Sequence, residues 1–237
     1  MRLANNDYTL PATSRLTTLF APGTIRKPAE DFDIFELSEV RCMRGTKCLF
    51  DGLNVQLQPG GLLRIRGANG TGKTSLLRML CGLSRADAGQ IRWSGQDIHR
   101  LGEEFSRQII YIGHAPASKA ELSAHENLMI ALTLQGASAT ANAAEEALAS
   151  AGLLAYRDAP VRFLSQGQRR RLALARLACR PAPTLWILDE PFTALDAAAR
   201  VWLKEMVECH LSEGGIVILT SHDETGLEQR PHQVIAL

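Results

Sequence analysis

From residue 35 onward the chain alternates between two rhythms of apolar and polar positions. Residues 35–41 read as a strand, and Leu62–Arg66 interleaves apolar and polar side chains just ahead of a glycine-rich turn. Ile109–Ile112, Leu185–Leu188 and 216–219 are short, unbroken, β-rich apolar runs, the pattern of strands covered on both faces of a mainly parallel sheet. Helix-like stretches lie between them. Residues 73–81 carry Leu76, Leu77, Met79 and Leu80, with Gly82 where a helix C-terminus favours glycine. An Ala-rich stretch over 124–162 reads as helical, with Gly152 ending one helix inside it. Strands alternating with helices predict an α/β domain.

Residues 1–33 lack this order. They mix Asn, Thr, Pro, Ser and charge without a sustained period, which predicts a flexible extension ahead of one domain over 34–237 with a helical insert at about 115–170. The 237 residues are 46% hydrophobic, enough for a substantial core, and their formal net charge of +1 gives no basic footprint for nucleic acid. Five cysteines, odd in number and without a CxxC pair, argue against a disulfide framework or zinc site and fit a reducing compartment. No stretch approaches the roughly 18 apolar residues of a spanning helix. Arg2 is not followed by the apolar region of a secretory signal. Work at a membrane would therefore need a second, spanning chain.

The most specific chemistry lies in Gly67-Ala68-Asn69-Gly70-Thr71-Gly72-Lys73-Thr74, followed by Ser75. This fits GxxxxGK[ST], placed between a predicted strand and a predicted helix. Glycines let the backbone turn successive N–H groups toward phosphate oxygens, and the following helix presents its positive end to the same charge. Lys73 can reach β- and γ-phosphates, and the Thr74 hydroxyl can bind Mg²⁺. The loop alone leaves kinases, GTPases and many ATPases open.

Four further motifs narrow the choice: Leu164-Ser165-Gln166-Gly167-Gln168 before three arginines, the apolar run Leu185–Leu188 ending in Asp189-Glu190, then Ala194-Leu195-Asp196, and Thr220-Ser221-His222-Asp223. Together with the phosphate loop they resemble the ATP-binding subunits of ABC transporters over 35–237. The resemblance implies a P-loop cassette with a mainly parallel core sheet, a small antiparallel β subdomain and an inserted helical subdomain. It implies ATP and Mg²⁺ as ligands, Asp189 as metal holder, Glu190 as the base that activates water, and His222 as a γ-phosphate contact. It also implies a homodimer in which Ser165, Gly167 and Gln168 of one copy close the ATP site of the other. Taken alone, Ser165 also admits a reading as a helix N-cap, and Arg169, Arg170 and Arg171 read as the polar face of the helix that follows.

Two positions depart from that pattern. The region that usually supplies an adenine-stacking aromatic reads Cys42-Met43-Arg44-Gly45, leaving the planar guanidinium of Arg44 and the ring of Phe50 as candidates. His114 stands where a metal-sensing glutamine usually does. Its imidazole can bind metal or relay a hydrogen bond, or it can simply pack in its loop. The stretch from Tyr111 to Leu128, with Gly67–Gly70 and Pro160-Val161-Arg162, resembles the ATP-binding subunits of cytochrome c biogenesis haem exporters, although that family usually has Gln where this chain has Ala115. This second resemblance implies an integral-membrane permease partner, a peripheral place on the cytoplasmic face of the inner membrane, and hydrolysis coupled to haem export or release of a haem-loaded chaperone. An exporter ATPase for another substrate is the alternative. A non-transport ABC ATPase is disfavoured, because no second cassette, long insert or basic face is visible.

Overall fold

The computed structural model describes residues 33–115, 117–135, 140–179, 184–221 and 225–237. The predicted extension, apart from Asp33, lies outside the described residues, and so does His222. The described chain divides into two compact units, the larger drawing on 33–115, 184–193, 204–221 and 225–237 and the smaller on 117–135, 140–179 and 194–203.

The larger unit contains two sheets. The first is antiparallel, built from β1 (Phe35–Arg44), β2 (Lys47–Leu57), β4 (Ala88–Trp93) and β5 (Gln96–Asp97) in the order β2-β1-β4-β5. The second is wholly parallel, with β3 (Leu62–Arg66), β6 (Ile109–Ile112), β7 (Leu185–Leu188), β8 (Ile216–Thr220) and β9 (Gln233–Ala236) in the order β6-β7-β8-β3-β9. Every residue of β7 and β8 is buried, as their unbroken apolar runs require. Helix α1 (Lys73–Leu80) sends Leu76, Leu77, Met79 and Leu80 into the core, and α2 (Ile98–Leu101) and α3 (Glu103–Gln108) add Ile98 and Phe105. Phe105 stacks on Phe35, ring centroids 6.4 Å apart. The five strands predicted from their patterns, β1, β3, β6, β7 and β8, are present. The alternation in β3, however, does not mark a solvent face: Arg64 is 1% exposed, its guanidinium 3.1 Å from the Glu228 carboxylate. Parallel pairing brings the carboxyl ends of β3, β6, β7 and β8 to one edge of the sheet, where α/β proteins bind ligands.

In the smaller unit the stretch 124–162 is helical in segments, as its composition predicts. It forms α4 (Ala124–Leu134), α5 (Ala141–Ser150) and two 3₁₀ turns, Leu154–Tyr156 and Val161–Phe163. Ser123 and Glu126 form a reciprocal capping box at the start of α4, and Thr140 caps α5. Gly152, at φ +66°, takes the left-handed turn that lets the chain leave α5. Then α6 (Gln166–Ala175) follows. The last helix, α7 (Ala197–Ser212), begins where Asp196 Oδ1 accepts from the Ala199 amide at 2.8 Å. Among the described residues no helix is long and apolar enough to cross a membrane.

Candidate nucleotide site

The phosphate loop runs from the end of β3 into α1. Gly72, the N-cap of α1, sits at φ +112°, and a Cβ there would lie 3.2–3.3 Å from Leu49 and Phe50. Glycine is therefore favoured by the dihedral, and the space for a side chain is tight as well. Gly72 gives no side-chain cap and the first turn of α1 holds no acid, so the helix presents its positive end to whatever the loop encloses. The Lys73 ammonium, 8% exposed at the level of the residue, donates to the carbonyls of Gly67 at 2.7 Å and Ala68 at 3.1 Å. Thr71 Oγ1 donates to Ala68 O at 3.0 Å, which bends the loop back on itself. Gly67 cannot carry a side chain either: a Cβ would meet Thr71 Oγ1 at 2.6 Å and Leu237 O at 2.7 Å.

Asp189 and Glu190 follow β7. The Asp189 amide donates to Ile112 O at 2.8 Å, which ties the end of β7 to β6, and Asp189 is 4% exposed. Thr220 Oγ1 donates to Asp189 Oδ1 at 2.7 Å and accepts from the Glu190 amide at 2.7 Å. Glu190 holds φ +48°, unusual for a residue with a side chain. Its carboxylate lies 3.7 Å from His114 Nδ1, and its Oε2 is 3.5 Å from Thr193 Oγ1. Burial, reinforced by the Asp189 charge, pushes both the Cys81 thiol and the Tyr111 hydroxyl up to about 12. Both groups therefore stay neutral beside the carboxylate, and Cys81 is no nucleophile.

These parts meet around one cavity of about 480 Å³. Asn69, Gly70, Gly72, Lys73, Thr74 and Ser75 line it from the phosphate loop, and His114, Asp189 and Glu190 line it from the ends of β6 and β7. The rest of the wall is Arg44, Lys47 and Leu49, from the paired ends of β1 and β2. Sequence reasoning missed Lys47 and Leu49, which carry no motif and reach the site only because β1 and β2 pair as a hairpin with Arg44 opposite Lys47. Arg44 is placed for contact, its Nη2 3.3 Å from Ser75 Oγ. Phe50 is not: it is 7% exposed and belongs to the core behind Gly72, so it offers no stacking face.

Ser165, Gly167 and Gln168 belong to the smaller unit. Ser165 is the N-cap of α6, its Oγ accepting from the Gln168 amide at 3.2 Å while Gln168 Oε1 accepts from the Ser165 amide at 2.8 Å. The capping reading is thus correct, and Ser165 is exposed as well. The three arginines that follow are not a solvated face. Arg169 donates to Leu164 O and Arg162 O, Arg171 donates to Ala151 O, and Arg170 is 4% exposed. Their stems and donors bind the smaller unit together.

The model of the ABC transporter family matches residues 50–193, which span the phosphate loop, the Ser165 loop and Asp189-Glu190. The chain belongs to the ABC transporter ATP-binding family. It is 50% identical over 183 residues to the cytochrome c biogenesis ATP-binding export protein CcmA of Methylococcus capsulatus, covering 77% of this chain and 88% of that protein. Against the protein of the same name from Escherichia coli O157:H7 it is 44% identical over 204 residues, 86% of this chain and 96% of the relative. These matches place it in the CcmA branch of the family. The fold agrees with that of a solved ATP-binding subunit of an ABC transporter at a TM-score of 0.76, with 22% identity, covering 86% of this chain and 85% of the other.

Proposed function

We propose that this CcmA-family chain is the ATP-binding and ATP-hydrolysing subunit of an ABC exporter in cytochrome c biogenesis. The observation that carries the proposal is the convergence of Lys73, Thr74, Asp189, Glu190 and His114 on a single cavity. The donor set fits a magnesium nucleotide. A glycine cradle and an uncapped helix start suit phosphate, and the buried Asp189 carboxylate and the Thr74 hydroxyl suit a hard cation. Among the described residues no cluster of three His, Cys, Asp or Glu side chains could cage a metal alone, so the substrate's own oxygens would complete the shell. Mg²⁺, when bound, neutralises charge on the phosphates.

Each protein group then has a defined task. Amides from Ala68 to Ser75 bind phosphate oxygens, and Lys73 exchanges its contacts with the loop carbonyls for the β- and γ-phosphates. Glu190 Oε takes the proton of the attacking water as the γ-phosphoryl group passes to it and ADP leaves. His222 contacts the γ-phosphate, and His114 occupies the glutamine position beside Glu190. Arg44 stacks on the base. In a homodimer, Ser165, Gly167 and Gln168 of the second copy close the site and exclude water, and hydrolysis releases the copies. The dimer sits peripherally on the cytoplasmic face of the inner membrane, bound to an integral-membrane permease, and drives haem export or release of a haem-loaded chaperone.

The test is genetic and biochemical together. Deleting the gene should abolish all c-type cytochromes, the wild-type chain should restore them, and E190Q should not. Unchanged cytochromes in the deletion strain would overturn the biogenesis role while leaving the ATPase reading standing.

A further inference from the structure

The apolar run of β8 ends in a hydroxyl. Residues 216–219 are Ile, Val, Ile and Leu, and the next residue inward of the sheet edge is Thr220, 0% exposed. A buried hydroxyl is unfavourable unless it is hydrogen-bonded. Here both of its capacities are used on the two residues that follow β7: the hydrogen goes to Asp189 Oδ1 and a lone pair receives the Glu190 amide, each at 2.7 Å. A hydroxyl has one hydrogen, so donation to Asp189 directs its lone pairs elsewhere, and Glu190 N–H takes one. Glu190 is also the residue whose backbone is turned to φ +48°. Such a conformation persists when its surroundings over-determine it. On the other edge of β8, Thr220 pairs with Ile65, two residues before the phosphate loop begins.

We propose that Thr220 is a positioning residue for hydrolysis: its hydroxyl locks the Asp189 carboxylate and the turned Glu190 backbone into one rigid unit, and so sets the angle at which Glu190 meets the water. The inference rests on the hydrolysis reading above, and it assigns Thr220 no contact with substrate. An apolar residue of the same shape keeps the packing of β8 but cannot make either bond, and it leaves the Glu190 amide without that partner.

The experiment compares Thr220→Val with Thr220→Ser in the full chain. Two quantities are read: hydrogen exchange of the Glu190 amide without nucleotide, and the kcat and KM for ATP of the complex with the membrane partner. T220V should speed exchange at least tenfold and lower kcat at least tenfold, with KM within threefold of wild type. T220S should keep exchange within threefold and recover at least a third of the wild-type kcat. Wild-type exchange and kcat in T220V would overturn the proposal. So would a T220S chain as impaired as T220V, because the effect would then belong to packing and not to the hydroxyl. A wild-type complex that fails to hydrolyse ATP would sink the hydrolysis reading instead, and the exchange comparison would still decide whether the hydroxyl holds Glu190.

Discussion

Arg64 Nη2 lies 3.1 Å from Glu228 Oε1, with the arginine side chain 2% exposed and the glutamate side chain 35% exposed. The same oxygen accepts from the Thr225 amide at 2.7 Å and from Thr225 Oγ1 at 3.1 Å. Arg64 thus anchors the described segment that follows His222 to the strand that feeds the phosphate loop.

This pair predicts an acid-sensitive stability. Burial works against the Glu228 charge, but the hydrogen bonds from Thr225 and the nearby Arg64 outweigh it and hold the carboxyl down to about 2, from an ordinary value of 4.5. Because the folded value is depressed, the contribution is complete above about pH 4.5 and is lost as the pH falls toward 2. Breaking a fully enclosed pair costs roughly 3–5 kcal/mol, and the partial exposure of Glu228 discounts this to about 1–2 kcal/mol. Urea unfolding should find E228Q less stable than wild type by that amount at pH 6, with the gap narrowing below pH 4. An equal gap at both pH values would count against the pair.

Gly72→Ala should damage the site more than the fold. The substitution forces a side chain into φ +112° and to within 3.2 Å of Leu49, at about 1–3 kcal/mol for the strained backbone. We expect nucleotide affinity to fall at least tenfold in a fluorescent-ATP titration, while the melting temperature drops by only a few degrees. Unaltered affinity would show that the loop can relax around the new methyl.

Arg44 distinguishes base from phosphate recognition. If its guanidinium stacks on adenine, R44A should weaken ATP binding by about 1–2 kcal/mol, roughly five- to thirtyfold, and leave inorganic triphosphate within twofold. Calorimetry with both ligands separates the cases. A parallel loss for triphosphate would reassign Arg44 to the phosphates, which its approach to Ser75 also permits.

Glu190→Gln should remove the base without emptying the site. We expect hydrolysis to fall at least a hundredfold, as befits loss of a general base. The chain should run as a dimer on size exclusion at saturating ATP and Mg²⁺ and as a monomer without them. A monomer under both conditions, with hydrolysis intact, would refute both the role of Glu190 and the shared site.

Local motifs made much of this site legible. The spacing of Gly67, Gly72, Lys73 and Thr74 follows from what a backbone needs to wrap a phosphate, so it is readable without a fold. The unbroken run of β7 told that Asp189 and Glu190 end a buried strand. Other features left no local trace. Lys47 and Leu49 look like ordinary hairpin residues until β1–β2 pairing turns them over the cavity. Phe50 reads as a free aromatic, yet it is spent in the core under Gly72. Arg64 and Arg170 read as surface charges and are buried, because burial depends on which elements flank a residue and not on its neighbours in sequence.

By itself, then, the sequence determined five of the strands, the helix after the phosphate loop, the loop itself and the pair of carboxylates, since each depends on periodicity or on residues adjacent in the chain. Tertiary structure alone decided that β8 stands between β7 and β3. That strand order put the Thr220 hydroxyl within 2.7 Å of both Asp189 and Glu190, residues some thirty positions away, and only a folded sheet can bring groups so distant in sequence into hydrogen-bond contact.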